Sequence, residues 1–302
     1  MKVRVIINRG GGSFGEDSAE KLQPLFEAHG IDAKILAVEP GELDRHCGEV
    51  AKEAGVDALV AAGGDGTIGT AAAAVAGTDM PLGILPLGTL NHFAKDAGIP
   101  LDLEEAVAAI AGGRTRQVDI AEVNGRVFIN NSAVGLYPRL VRSREAQQRQ
   151  LGRSKKLAMV VAAARTLWRF SKHRLTIRIA GREAPVDTPL LFVGNNRYEM
   201  GLLSLGTREA IDRGELCLYA PVAHSARQFM SISLRAVFGR EDEQDDFVAL
   251  DGIQAVEIDA RQSRLMVATD GEAQAMDTPL CYKVRPGALK LLVPGEPAAE
   301  GE

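Results

Sequence analysis

The chain has 302 residues, of which 46% are hydrophobic, 5% aromatic and 25% charged, with a formal net charge of −5. That length gives a soft prior of about two domains, and the acidic balance speaks against a nucleic-acid binder, which would present a strongly basic face. No run of about 18 uninterrupted apolar residues is present, which argues against a membrane-spanning helix, and Met1-Lys2-Val3-Arg4 leads straight into a strand pattern, so no secretory leader is expected.

In chain order, strand patterns at residues 3–7, 33–37, 58–62 and 82–86 interleave with helical patterns at 17–29, 41–54, 68–76 and 102–112. Such alternation predicts a largely parallel sheet covered by helices. Ligands of these sheets collect beyond the carboxyl ends of the strands, and three glycine turns fall there: Asn8-Arg9-Gly10-Gly11-Gly12-Ser13, Gly63-Gly64-Asp65-Gly66-Thr67 and the turn within Pro86-Leu87-Gly88-Thr89-Leu90-Asn91.

The second turn is the most informative. It follows Ala58-Leu59-Val60-Ala61-Ala62 and opens an alanine-rich helix. Glycines leave backbone N–H groups bare, and the helix start adds the positive end of its dipole, so a nucleotide phosphate is expected there. A carboxylate beside phosphates is repelled unless a cation or a ribose hydroxyl lies between, so Asp65 reads as a Mg²⁺-side or nucleotide-side contact. The alternative is a tight β-to-α turn with no ligand.

From about residue 117 the pattern changes to short segments rich in Val, Ile and Leu: 117–123, 126–130, 174–180, 189–194, 216–220, 254–259 and 264–268. A β-rich second domain is expected. Asn130-Asn131 and Asn195-Asn196 each follow an apolar strand, where paired amides either hydrogen-bond a glycerol backbone or ribose, or cap turns. Residues 139–174 are dense in Lys and Arg, and the helical pattern at 157–170 ends in Trp168-Arg169-Phe170. That composition suits an interfacial helix on anionic lipid as well as a core helix with a solvated rim. The acidic run at residues 241–246 reads as a solvated loop. Cys47, Cys217 and Cys281 are scattered and without metal-ligand spacing, so they read as reduced thiols of a cytoplasmic protein.

Near the C-terminus the strand pattern Arg264-Leu265-Met266-Val267-Ala268 runs into Thr269-Asp270-Gly271-Glu272. Asp-Gly is a common hairpin signal. With the glycine loop and the Pro86-Leu87-Gly88-Thr89-Leu90-Asn91-His92-Phe93-Ala94 loop, however, it makes the chain resemble the diacylglycerol kinase catalytic-domain family, bacterial lipid kinases related to sphingosine kinases. The first loop alone is shared with NAD kinases and 6-phosphofructokinases; the second selects the lipid-kinase branch.

The resemblance implies a nucleotide-binding α/β domain over residues 1–116, joined by a return of about 281–302, and a β-sandwich lipid-substrate domain over 117–280, with the active site in the cleft between them. It implies ATP and Mg²⁺ as cofactors and transfer of the γ-phosphate to the hydroxyl of a diacylglycerol-like or related lipid. Asn8, Gly10, Gly11, Gly12, Gly63, Gly64, Asp65, Gly66, Thr67, Gly88 and Thr89 would hold the nucleotide, and Asn91, Asn195 and Asn196 the substrate. Asp270 would be the general base, since a lipid hydroxyl is a poor nucleophile until a carboxylate accepts its proton; Glu272 would orient it, reach the metal through water, or cap the turn. The expected partners are the lipid substrate, a peripheral contact with the inner face of the membrane, no nucleic acid, and a second copy in a homodimer.

Three positions depart from the family pattern. Arg9 replaces a proline. Thr67-Ile68-Gly69-Thr70 stands where many members carry an Asn-Glu pair, and Arg213 stands where a metal-binding aspartate is expected, which leaves Asp212 as the substitute metal carboxylate. Two rival readings are a soluble-substrate kinase resembling NAD kinase and a non-catalytic lipid or nucleotide sensor.

Overall fold

The structure is a computed structural model, and it describes residues 1–10, 18–135, 172–198, 208–221, 225, 228 and 247–295. The chain forms two compact units, one made of Met1–Ile120, Ala210–Arg213 and Arg285–Glu302, the other of Ala121–Glu209 and Gly214–Val284.

The first unit begins β1 (Lys2–Asn8), α1 (Ser18–Ala28), β2 (Asp32–Val38), a 3-10 turn at Pro40–Glu42, α2 (Leu43–Val50), β3 (Ala58–Gly63), α3 (Asp65–Val75), β4 (Leu82–Pro86), α4 (His92–Asp96) and α5 (Leu103–Ala111). Its strands are parallel in the order β2-β1-β3-β4. The central strands read as unbroken apolar runs because helices cover both faces of a parallel sheet: every residue of β3 and β4 is buried. The core gathers Val5, Phe26, Val60, Leu85 and Ile110. α5 lies close over β4, and a Cβ on Gly83 would stand 3.2 Å from the Ile110 side chain. Its first turn is capped by Asp102, whose carboxylate accepts the N–H groups of Glu104 and Glu105.

β5 (Thr115–Val123) gives residues to both units. The second unit continues with β6 (Arg126–Phe128), β7 (Asn131–Gly135), β8 (His173–Ile179), β9 (Arg182–Thr188), β10 (Leu190–Asn195), β11 (Leu216–Pro221), β12 (Phe247–Ile253), β13 (Ala255–Ala260), β14 (Arg264–Thr269), β15 (Glu272–Asp277) and the start of β16 (Leu280–Leu292). One antiparallel sheet runs β12-β11-β10-β7-β14-β15. A second layer pairs β9 with β8, β8 with β13, and β13 with the first residues of β16. Leu191, Val193, Leu218 and Val267 of the first layer share a core with Ile177, Ile258 and Tyr282 of the second. This is a β-sandwich.

The remainder of β16 belongs to the first unit, where Leu291 pairs in parallel with Leu82 of β4. The main differences from the sequence expectation are α3, which starts at Asp65 and so includes the acidic residue in its first turn, and four additional strands, β7, β9, β12 and β15. Gly11, Gly12, the helical pattern at 157–170 and the acidic run at 241–246 lie outside the described residues. Among the described residues, no helix is long and apolar enough to cross a membrane.

Candidate active site

In the first unit the three glycine turns follow β1, β3 and β4, which are neighbours in the sheet. They are laced together by side chains that the sequence assigned to ligands. Asn8 Nδ2 donates to Thr67 Oγ1 at 3.0 Å, and Asn8 Oδ1 accepts the Gly10 N–H at 2.9 Å. Asp65 accepts the N–H groups of His92 (3.2 Å) and Phe93 (3.0 Å), so the first-turn carboxylate of α3 caps α4. Asn91, in the left-handed conformation at φ 50°, accepts the Gly88 N–H at 2.9 Å and donates to the carbonyls of Pro86 and Gly88. Asn91 is buried, so it braces the loop from within.

Loop contact also explains the glycines. A Cβ on Gly88 would lie 2.5 Å from the Cα of Gly64, and one on Gly63 would lie 2.6 Å from Thr67 Oγ1. Gly64 is the N-cap of α3 and supplies no side-chain cap, so the first-turn amides present the positive helix end that phosphates favour. Thr89 is exposed at the tip of the third turn. Arg9 pairs with Glu39 at 3.6 Å, both exposed, so its charge is shared with that carboxylate.

In the second unit Asp270 and Gly271 form the two-residue turn between β14 and β15, at φ 47° and 86°, with Thr269 opposite Glu272. Both positive φ values mark the type I′ hairpin that Asp-Gly favours. That geometry turns the Asp270 carboxylate onto the backbone of 129–131. Oδ2 accepts the Ile129 N–H at 2.8 Å, and Oδ1 accepts those of Asn130 at 2.8 Å and Asn131 at 3.2 Å. Two influences oppose each other. Burial pushes the carboxyl up from its ordinary 3.8 to about 6, while the three N–H groups and the Arg208 charge pull it down.

Glu272 pairs with Arg126 at 2.7 Å, and the same guanidinium holds Thr269 Oγ1 and Gln274 Oε1. Arg126 thus pins both strands flanking Asp270. Asn195 and Asn196 are at 0% exposure. Asn195 donates its backbone N–H to the Asn130 carbonyl and Nδ2 to that of Ile129, while the Asn196 N–H binds the Glu215 carbonyl and its own carbonyl accepts from Cys217. The structure therefore places both amides in the interior, Asn195 against the 129–131 turn that holds Asp270 and Asn196 against β11. Sequence reasoning missed Arg126 and Arg208, because neither stands in a motif.

Asp212 is in the first unit, in an ion pair with Arg116. Among the described residues no three His, Cys, Asp or Glu side chains come together. Asp65, a carboxylate in the first turn of α3, is of the chemical type that takes a water of a nucleotide-bound Mg²⁺. Asp212 is a poorer fit with a guanidinium against its Oδ2.

A family model of the diacylglycerol kinase catalytic domain matches residues 2–123, and one of the YegS C-terminal NAD kinase beta sandwich-like domain matches residues 140–293, more than half of the chain. The chain belongs to the diacylglycerol kinase family of lipid kinases. Curated relatives of this kinase family named "Probable lipid kinase YegS-like" are 41% identical over 113 residues in Cronobacter sakazakii and 44% identical over 124 residues in Citrobacter koseri. Those matches take in 36% and 37% of this chain and 37% and 41% of the relatives, so the chain spans well under half the length of the curated relatives it matches. A crystal structure of "a putative diacylglycerol kinase" from Bacillus anthracis str. Sterne is similar at a TM-score of 0.74 and 24% identity over 97% of both chains. Yeast NADH kinase complexed with NADH follows at 0.57 and 15%, over 98% of this chain and 84% of that one. Both likenesses are of fold.

Proposed function

We propose that this member of the diacylglycerol kinase family transfers the γ-phosphate of ATP to the hydroxyl of a diacylglycerol-like or related lipid. The observation that carries the reading is Asp270: a carboxylate brought to about 6 by burial and held by three backbone N–H groups in a turn. It is ionised at neutral pH yet basic enough to accept a hydroxyl proton as the bond to phosphorus forms. The amides of the Gly64–Thr67 turn and the start of α3 bind phosphate oxygens, and Asn8, Asp65 and Asn91 keep the three turns in register. Mg²⁺ bound with the nucleotide supplies charge neutralisation at the phosphates, with Asp65 as the carboxylate on hand for one of its waters. Asp212 is the weaker metal candidate.

The test is transfer of γ-³²P from Mg-ATP into organic-extractable material, with a total bacterial lipid extract in mixed micelles as acceptor. A labelled lipid that disappears in Asp270→Asn while ATP binding is kept supports the reading and hands the product to mass spectrometry. Labelled water-soluble product instead points to a soluble acceptor, the alternative favoured by the fold likeness to yeast NADH kinase. Clear ATP binding with no labelled product of either kind overturns the kinase reading in favour of a sensor. Flotation with liposomes of varied anionic lipid content tests the proposed peripheral contact, and sedimentation tests the proposed homodimer.

A further inference from the structure

The turn that grips Asp270 is itself gripped from behind. Arg208 is buried, at 6% exposure. Its Nη1 donates to the carbonyls of Ile129 at 2.7 Å and Asn195 at 3.0 Å, and its Nη2 donates to Oδ1 of Asn130 at 2.9 Å. The guanidinium carbon lies 5.4 Å from the centre of the Tyr198 ring, within cation-π range.

Two peptide groups are consequently held at both ends. The carbonyl of peptide 129–130 accepts from Arg208 and from Nδ2 of Asn195, while its N–H donates to Oδ1 of Asp270. In peptide 130–131 the carbonyl accepts the Asn195 N–H, while the N–H on its far side donates to the same carboxylate oxygen. A bond accepted at a carbonyl polarises the N–H across the peptide, so linked bonds strengthen one another. Arg208 stays charged at every relevant pH, and its planar fork fits three acceptors at fixed angles. The other charged side chains of the hairpin are paired elsewhere: Glu272 with Arg126 of β6, and Arg264 with Asp277 across its two strands.

We propose that Arg208, supported by Asn195, is the positioning residue of the acceptor-activating carboxylate: it fixes the 129–131 peptides so that they aim Asp270 and keep it ionised at the pH of the reaction. The proposal rests on the reading of Asp270 as the base. It assigns the Asn195 amide a place in that support.

The test uses the full chain labelled at the aspartate ¹³Cγ, with the Asp270 signal identified by its loss in Asp270→Asn. Wild type, Arg208→Gln and Arg208→Lys are titrated, and kcat and KM for ATP are measured on the same proteins. Arg208→Gln is expected to raise the Asp270 midpoint by about one pH unit and lower kcat at neutral pH about tenfold, with KM for ATP kept within about twofold. Arg208→Lys should fall between, because an ammonium keeps the charge and loses the fork. If Arg208→Gln does not fold, an upward shift in Arg208→Lys supports the proposal and an unmoved midpoint overturns it. An unmoved midpoint in folded Arg208→Gln, or a loss of kcat without any shift, also overturns it. Wild type inactive on lipid would sink the kinase reading alone, since the titration still reports the hold of Arg208 on Asp270.

Discussion

At Asp270 the folded-state value, about 6, stands above the ordinary 3.8. Between those two values the native chain keeps a proton that the unfolded chain has released. The contribution of Asp270 to stability is therefore fully present in acid and is lost as pH rises through about 6. At neutral pH the turn holds a charge that its burial disfavours. If Asp270 must be ionised to act, kcat/KM rises through an apparent pKa near 6 as the medium is made less acid; a limb near 4, as for a solvated aspartate, would remove the effect of burial from catalysis. Gly88→Ala makes a second test at this scale. Its Cβ would meet the Cα of Gly64 at 2.5 Å, so the loops must part, and calorimetry should show ATP affinity reduced by at least about tenfold while the sandwich keeps its spectrum. The Asp-Gly turn was legible in the sequence because a type I′ hairpin has a local code. The peptide cradle at 129–131 was not, since backbone N–H groups carry no side-chain signature and lie 139 to 141 residues away in the chain.

Helices and strands of the first unit were legible because a covered parallel sheet makes long apolar runs. The second unit shows where that signal fails. β9, β12 and β15 are sheet edges, and β9 is exposed along most of its length and contains Pro185, a residue that edge strands tolerate because one side of their backbone needs no partner. An edge strand is half-wetted, so its alternation fades into loop-like polarity. β7 was hidden for another reason: Asn131-Ser132-Ala133-Val134-Gly135 is short and small, though central in its sheet. At the element scale the Asp102 cap is the cleanest probe. Asp102→Ala strips two first-turn bonds from α5 and should cost about 1 kcal/mol by denaturant titration, with Asp102→Asn losing less.

For the whole molecule the family assignment rests on two regions that together take in most of the chain, and the nucleotide role of the first is open to a direct reading. Mg-ATP at about 100 times its dissociation constant should stabilise the folded chain by about 2.7 kcal/mol, seen as an upward thermal shift. The shift should survive Asp270→Asn and fall to about half or less in Gly88→Ala; equal shifts in all three proteins would place the nucleotide away from the glycine turns. The course of β16 could be guessed only from the family resemblance, because nothing local in Leu280–Leu292 says that one stretch answers to β13 and another to β4.

That strand also sets a timetable. A ribosome delivers β1 to β4 within the first third of the chain, but the partner that lies along β4 arrives only with the last residues of β16. Until then β4 is an open hydrogen-bonding edge with an apolar face, the kind of surface that recruits strangers. The nascent protein must carry this unfinished border from Pro86 until Leu291 is made, about 200 residues later, so interrupted translation or a premature stop before residue 285 should yield sticky, chaperone-bound fragments instead of a free-standing first unit.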